Sequence, residues 1–312
     1  MAIAAIADMI YNDLLFCVDR QHIMTDEPMS KHTSFKVGGP ADIYVVPQNK
    51  EEFIDVLNIL TIHSCPYIIV GKGTDLLVRD GGIAGAVIDT AALDGIEVNE
   101  YKITVGAGAA LKDVCGAALS SSLTGMEFAC GIPGTVGGAI YMNAGAYGGE
   151  TKDVCEWCEV VDMKDLNLRK INRSDMDFGY RTSIVQKEGL IVLEACFALK
   201  NGESDAIRSA MDEFNLRRRE KQPLEYPSAG SVFKRPQGYY AGRLIEDAGL
   251  KGTRVGDAQV SEKHTGFIIN RGNASAADVV KLIELIQTTI REKFGVDMYP
   301  EIKIIGEEMR VD

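Results

Sequence analysis

At 312 residues the chain is long for one hydrophobic core and points to about two or three domains. Hydrophobic content of 46% and charged content of 25% are those of an ordinary soluble globular protein, and no apolar run approaches the ~20 residues a membrane span needs. The net charge of −12 argues against nucleic acid as a partner, because phosphate backbones are held mainly by Lys and Arg.

The N-terminal stretch MAIAAIADMIYNDLLFCVDR is predicted to be an amphipathic helix with Ile3, Ile6, Ile10 and Leu14 on one face. Asp8, Asp13 and Asp19 interrupt it and no basic segment leads it, so it does not read as a signal peptide. Cytoplasm is the expected location. Residues 28–40 form a loop carrying HTSFKVGGP, ADIYVVP is a short strand, and residues 50–64 are a helix with Phe53, Val56, Leu57 and Leu60 inward. PYIIVGKGTDLLVRDGG reads as strand, glycine turn, strand, and GAVIDT as a further strand. This βαββ pattern predicts a small α+β region ending near Thr90.

From residue 91 to about 215 short strands dominate (IEVNEYKITVGAG, CEVVDMK, LIVLEACFAL), interrupted by a helix over residues 112–122 and a glycine-rich run. SDAIRSAMDEFNLRRREKQP is an amphipathic helix stopped ahead of Pro223. The last region holds AGRLIEDAGL, TGFIIN, a helix from Ser275 and a final strand, PEIKIIG. Ser275 with Asp278 makes a capping-box-like start; Val279, Leu282, Ile283, Ile286 and Ile290 are the buried stripe; Gly295 is the stop.

Seven cysteines, odd in number and scattered, predict reduced thiols. Cys155 and Cys158 have CxxC spacing, but they fall in a predicted strand whose alternation puts them on opposite faces. With only 4 His and no second CxxC, no metal site is expected.

Two glycine clusters remain. Gly71-Lys72-Gly73-Thr74-Asp75 follows the strand YIIV, and GIPGTVGGAIYMNAGAYGGE fills residues 131–150. Glycine removes the Cβ and permits positive φ, so such backbone can line an anion-binding concavity; it can equally be a pair of tight turns. A P-loop fails for want of GxxxxGK[ST], and a dinucleotide fingerprint fails because Gly106-Ala107-Gly108 leads to Leu111 rather than glycine. The small residues of the long run, with Thr135, Asn143 and Tyr147 as polar handles, suit a large, partly apolar ligand with a central diphosphate, such as a dinucleotide flavin.

HTSFKVGGPAD, VGKGTDLLVRDGG, GIPGTVGGAIYMNAGAYGGE, FGYRTSI, AGSVFKRP and YPEIKIIG stand in the order and approximate spacing of one flavoenzyme family. From about residue 30 to 306 the chain resembles the MurB family, the UDP-N-acetylenolpyruvoylglucosamine reductases, in the more compact of its two subtypes. The resemblance implies an α+β fold: a two-subdomain FAD-binding module of the vanillyl-alcohol-oxidase (PCMH) type plus a smaller α+β substrate domain. The expected domains are residues 1–90, with 301–312 returning to them, then 91–217, then 218–300 for substrate.

The implied reaction is a two-stage one. NADPH reduces FAD, and the reduced flavin reduces the enolpyruvyl group of a UDP-sugar to UDP-N-acetylmuramate, a peptidoglycan precursor. The corresponding keywords are oxidoreductase, flavoprotein, cell wall biogenesis, cell shape and cell division. By the same resemblance Ser231 is the proton donor, while Arg181 and Glu301 polarise the substrate carboxylate, a guanidinium bidentately and a protonated carboxyl by one further hydrogen bond. Flavin contacts are implied at Gly71, Lys72, Gly73, Thr74, Asp75, Leu76, Gly131, Ile132, Pro133, Gly134, Thr135, Gly137, Gly138, Asn143, Ala144, Gly145, Ala146 and Arg218. Substrate contacts are implied at Tyr180, Lys221, Arg235 and His264. Asp75 departs from the family, which more often has Asn there, so a direct phosphate contact is not expected of it. The flavin is expected to be bound without a covalent link, and the protein to be a monomer without nucleic-acid or membrane partners.

Read from their residue types alone, Ser231 equally satisfies a turn, and Arg181 and Glu301 equally join surface ion pairs. Two other functions stay open at this point: a different FAD oxidase or dehydrogenase on the same module, and a nucleotide-binding protein without chemistry.

Overall fold

The computed structural model describes residues 2–309, with side chains from residue 7 onward; the expected inward positions Ile3 and Ile6 lie outside the described side chains. Helices and strands are intermixed along the chain, as the α+β expectation requires. The chain divides into two compact units.

The first unit lies within Met1–Met24, Ile43–Lys72 and Ala86–Arg218. Its centre is an antiparallel sheet with the spatial order Leu168–Asn172, Cys155–Asp162, Leu190–Ala198, Lys102–Gly106, Ile96–Asn99. Leu190–Ala198 is apolar almost throughout because it is covered on both faces. Leu190 and Val192 enter one core with the helices Leu111–Ser120 and Val136–Met142; Ile191 and Leu193 enter a second. That second core takes Phe53, Val56, Leu57 and Leu60 from the helix Lys50–Ile62, and Ile10 and Leu14 from the helix Ala2–Leu14. Tyr67–Val70 pairs in parallel with residues 86–89 at its edge.

Both interior helices end two residues before the predicted bounds, because Ser64 and Ser122 take left-handed φ values of 51° and 53° that no helix continues through. The CxxC pair also departs from expectation. A register shift between Cys155 and Trp157 inserts one extra residue, so Cys155 and Cys158 enter the same core instead of opposite faces. All seven cysteines are free thiols. Burial pushes the Cys158 thiol up to about 12 and lifts that of Cys155 well above the usual range. Among the described residues no group of three or more His, Cys, Asp or Glu could hold a metal ion.

The second unit lies within Thr25–Asp42, Gly73–Gly85 and Arg219–Asp312. The predicted stripe Val279, Leu282, Ile283, Ile286 and Ile290 of the helix Ala276–Phe294 fills its core with Phe35, Val37 and Leu77. A three-stranded sheet of Arg254–Val255, Ala258–Val260 and Ile268–Asn270 covers that core, and Lys303–Ile305 pairs in parallel with Leu76–Val78. Ser275 and Asp278 form the expected reciprocal capping box, and Gly295 closes the helix at φ 66°. Among the described residues no helix is long and apolar enough to cross a membrane.

Candidate functional site

In the first unit the long glycine run is stapled to the segment after Gly106. Leu111 N–H donates to Gly134 O at 3.1 Å, Val136 N–H to Ala109 O at 3.0 Å and Gly137 N–H to Ala107 O at 2.8 Å. Thr135, only 4% exposed, caps the short helix Val136–Met142. The two glycine clusters meet here: a Cβ on Gly71 would lie 2.4 Å from Thr135 Oγ1, closer than any side chain can come. The stretch from Gly71 to Asp75 crosses from one unit to the other. Gly73 is packed against His32 O and, at φ 56°, serves the second unit's own backbone. Leu76 lies in the strand that pairs with Lys303–Ile305, and Asp75 O accepts the Lys303 N–H at 2.9 Å.

Gly131 sits under the end of the helix Ser204–Lys221, where a Cβ would be 3.0 Å from both Arg218 Cδ and Asn215 Oδ1. The half-buried Arg218 guanidinium has no carboxylate partner among the described residues; burial lowers its pKa, and its electrostatic neighbours are Tyr147 and Cys130. Such a cation beside a backbone with no side chains fits a diphosphate, and the donor set therefore suits a dinucleotide flavin. Asn215 escaped the sequence reading, although its i,i+3 spacing from Arg218 puts both on one helix face.

The run continues into a tight hairpin, Gly145–Ala146 against Gly149–Glu150. Tyr147 and Gly148 at its tip both take positive φ, as a type I′ turn demands, and the Tyr147 ring stacks on Phe214 at 4.5 Å. Asn143 is buried, and its amide bonds the protein itself: Glu150 Oε2 and Gly179 O accept from it, and its own oxygen takes the Lys152 N–H. The side chain expected to touch flavin is thus engaged by the protein at both ends of its amide. Gly179 and Thr182 pair around a turn that carries the exposed Tyr180 and the half-buried Arg181.

In the second unit residues 231–234 run as an extended segment between two others. Ser231 bridges to Phe267 and Val232 N–H donates to Gly266 O at 2.9 Å; on the other side Glu301 N–H donates to Val232 O at 2.7 Å and Lys234 N–H to Tyr299 O at 2.9 Å. Ser231 and Glu301 are thereby brought to neighbouring backbone positions, with Ser231 exposed. His264 joins them. A Cβ on Gly266 would be 3.0 Å from His264 Cε1 and 3.7 Å from Ser231 Oγ. Gly266 N–H donates to His264 Nδ1 at 3.2 Å, which leaves Nε2 to carry the proton, and burial lowers the imidazole pKa. Arg235 lies 4.0 Å over the Tyr240 ring, while Lys221 is exposed at the last position of its helix.

Comparison with known proteins adds to this geometry. Residues 222–305 match the C-terminal domain of UDP-N-acetylenolpyruvoylglucosamine reductase, and residues 41–169 match the FAD binding domain family. A UDP-N-acetylenolpyruvoylglucosamine reductase of Clostridium botulinum is 53% identical over 291 residues, 93% of this chain and 95% of that protein. The crystal structure of a UDP-N-acetylenolpyruvylglucosamine reductase (MurB) from Thermus caldophilus superposes with a TM-score of 0.76 at 34% identity, covering 90% of this chain and 97% of that one. The glucose dehydrogenase Phl p 4.0202 shares the fold of 63% of the chain and covers 44% of its own, with a TM-score of 0.50 at 16% identity.

Proposed function

The chain belongs to the UDP-N-acetylenolpyruvoylglucosamine reductase (MurB) family, and from that premise we propose that it uses NADPH and FAD to convert UDP-N-acetylglucosamine enolpyruvate to UDP-N-acetylmuramate. It is an oxidoreductase whose fold joins an FAD-binding module of the vanillyl-alcohol-oxidase type to a MurB C-terminal domain. The product is a peptidoglycan precursor, so the enzyme serves cell-wall synthesis, and with it cell shape and division, as a cytoplasmic monomer.

FAD held at the glycine clusters would supply the hydride chemistry that links NADPH to the enolpyruvyl double bond. Gly71 and Gly131, whose missing Cβ atoms let Thr135 and Arg218 pack against them, would set the backbone that holds it, and Arg218 would balance its diphosphate charge. Ser231 donates a proton from Oγ to the substrate carbon beside the one that is reduced. Arg181 and Glu301 hold the substrate carboxylate, where negative charge builds as the double bond is lost. Tyr180, Lys221, Arg235 and a neutral His264, donating through Nε2, bind the rest of the UDP-sugar.

The observation that carries this reading is the placing of Ser231 and Glu301 at neighbouring backbone positions, joined through the 2.7 Å bond from Glu301 N–H to Val232 O. A spectral titration tests it. The purified protein should be yellow, NADPH should bleach the flavin band, and the UDP-enolpyruvyl sugar should restore it. Bleaching without restoration would point to another FAD-dependent substrate; a colourless protein that binds no added FAD would rule out the flavin.

A further inference from the structure

Arg181 stands where arginine is seldom found. Gly179 and Thr182 exchange backbone hydrogen bonds at 3.0 and 3.4 Å, so Tyr180 and Arg181 are the two central residues of a tight turn. Arg181 takes φ 54°, a value that turns of this kind usually give to glycine. A strained side-chain-bearing residue persists only where its surroundings over-determine it.

Two anchors do so here. Beyond the turn, the fully buried Ser183 donates from Oγ to Tyr141 O at 3.0 Å. Before it, Asn143 Nδ2 donates to Gly179 O at 3.0 Å and to Glu150 Oε2 at 3.0 Å, while Asn143 Oδ1 takes the Lys152 N–H at 3.0 Å. That last bond fixes which end of the amide is the donor. Asn143 is itself held at φ 43° as the C-cap of the helix Val136–Met142. One side chain thus ties the glycine run, the 150–152 segment and the Arg181 turn together.

We propose that Asn143 and Glu150 are a positioning brace for Arg181, fixing the Gly179 carbonyl and through it the direction of the guanidinium. The proposal rests on the reading of Arg181 as the residue that holds the substrate carboxylate. Electrostatics agree with it. The Glu150 carboxylate is kept below the usual range by Lys152 first, then by Asn143 and by the field of Arg181, so it is ionised at neutral pH. That carboxylate also pairs with the Lys152 ammonium, and the Glu150 backbone N–H donates to Asp153 Oδ2 at 2.8 Å, so the 150–153 segment that carries the brace is itself held in place.

The test compares Glu150→Ala, Arg181→Ala and the double variant in the two half-reactions, with flavin content measured on each protein. Glu150→Ala should weaken kcat/KM for the UDP-enolpyruvyl sugar by about 10- to 100-fold, the scale of a misplacement near 1 Å, while flavin reduction by NADPH stays within about twofold. The double variant should be no worse than Arg181→Ala alone, because Glu150 acts only through Arg181. Glu150→Gln keeps an acceptor for Asn143 and should recover most of the loss. If Glu150→Ala loses its flavin, Asn143→Ala paired with Arg181→Ala must show the same non-additivity.

Multiplying defects, or loss of flavin from both the Glu150→Ala and Asn143→Ala proteins, would overturn the brace. Wild-type kinetics in Glu150→Ala beside an impaired Arg181→Ala would also defeat it while leaving the reading of Arg181 intact. An Arg181→Ala enzyme that handles the sugar normally would instead remove that reading.

Discussion

Ser231 is exposed in a segment whose backbone is bonded on both sides, so its hydroxyl can reach a ligand while its position is set by those backbone bonds. Replacing it with Ala removes one oxygen and leaves those backbone bonds in place. Ser231→Ala should therefore keep NADPH-driven bleaching of the flavin and lose turnover of the UDP-enolpyruvyl sugar by about 10²- to 10⁴-fold, the usual contribution of a positioned acid. Stopped-flow rates for the two half-reactions measure this, and equal losses in both would remove Ser231 as donor. His264 makes a second prediction. Burial places its folded pKa below the ordinary 6.5, so the unfolded chain binds more protons below that value. Stability should be untouched above about pH 6.5 and fall as the pH drops below it. His264→Gln, which cannot titrate, should flatten the Tm loss between about pH 7 and pH 5. An unchanged slope would assign the acid sensitivity to other groups. Neither His264's tautomer nor its neighbours could be read from the sequence, because both depend on Gly266 N–H folding back onto Nδ1.

At the scale of elements, legibility followed the range of the interactions that make each one. The helix Ala276–Phe294 was readable because its cap, stripe and stop are all local, three or four residues apart. Its start has one feature that the sequence hid: Asp80, almost two hundred residues earlier, accepts the Ala276 and Ala277 N–H groups at 2.8 Å each. A carboxylate on two unpaired amides at a helix N-terminus is favoured by both hydrogen bonding and the helix dipole. Ser275→Ala should lower stability by about 1 kcal/mol, and Asp80→Ala by about 2 kcal/mol, since two charge-assisted bonds are lost. Urea unfolding measures both, and an Asp80→Ala loss no larger than that of Ser275→Ala would discount the distant cap. The bulge at Cys155–Trp157 was illegible for a similar reason. It is set by the register of the partner strand Leu190–Ala198, and one inserted residue reverses which face each later side chain meets. The Asn143 amide belongs with it: its partners at Glu150 and Gly179 lie 7 and 36 residues away, so sequence could rank Asn143 only as a polar handle in a glycine run.

For the whole molecule, each unit encloses apolar core of its own, so a ligand's effect on stability reports which unit carries its contacts. Most proposed flavin contacts, from Gly131 to Ala146 together with Gly71, Thr135 and Arg218, belong to the first unit, and Gly73 to Leu76 to the second. Flavin that binds only the folded state adds stability by mass action, about 2.7 kcal/mol at a hundredfold excess over Kd. Local openings that break contacts with the ligand are suppressed by that amount, and openings that leave those contacts intact are not. Adding FAD to flavin-free protein should therefore raise Tm and slow amide hydrogen exchange most at residues 131–138 and 71–76. Residues 279–290 of the long helix, which pack Phe35, Val37 and Leu77 rather than any proposed flavin contact, should respond least. Gly71→Ala sharpens the test, because its Cβ would meet Thr135 Oγ1 at 2.4 Å and push the two glycine clusters apart. That variant should require more FAD for the same protection at residues 131–138. Protection that rises first on the helix Ala276–Phe294, or that is indifferent to Gly71→Ala, would move the flavin away from the glycine run.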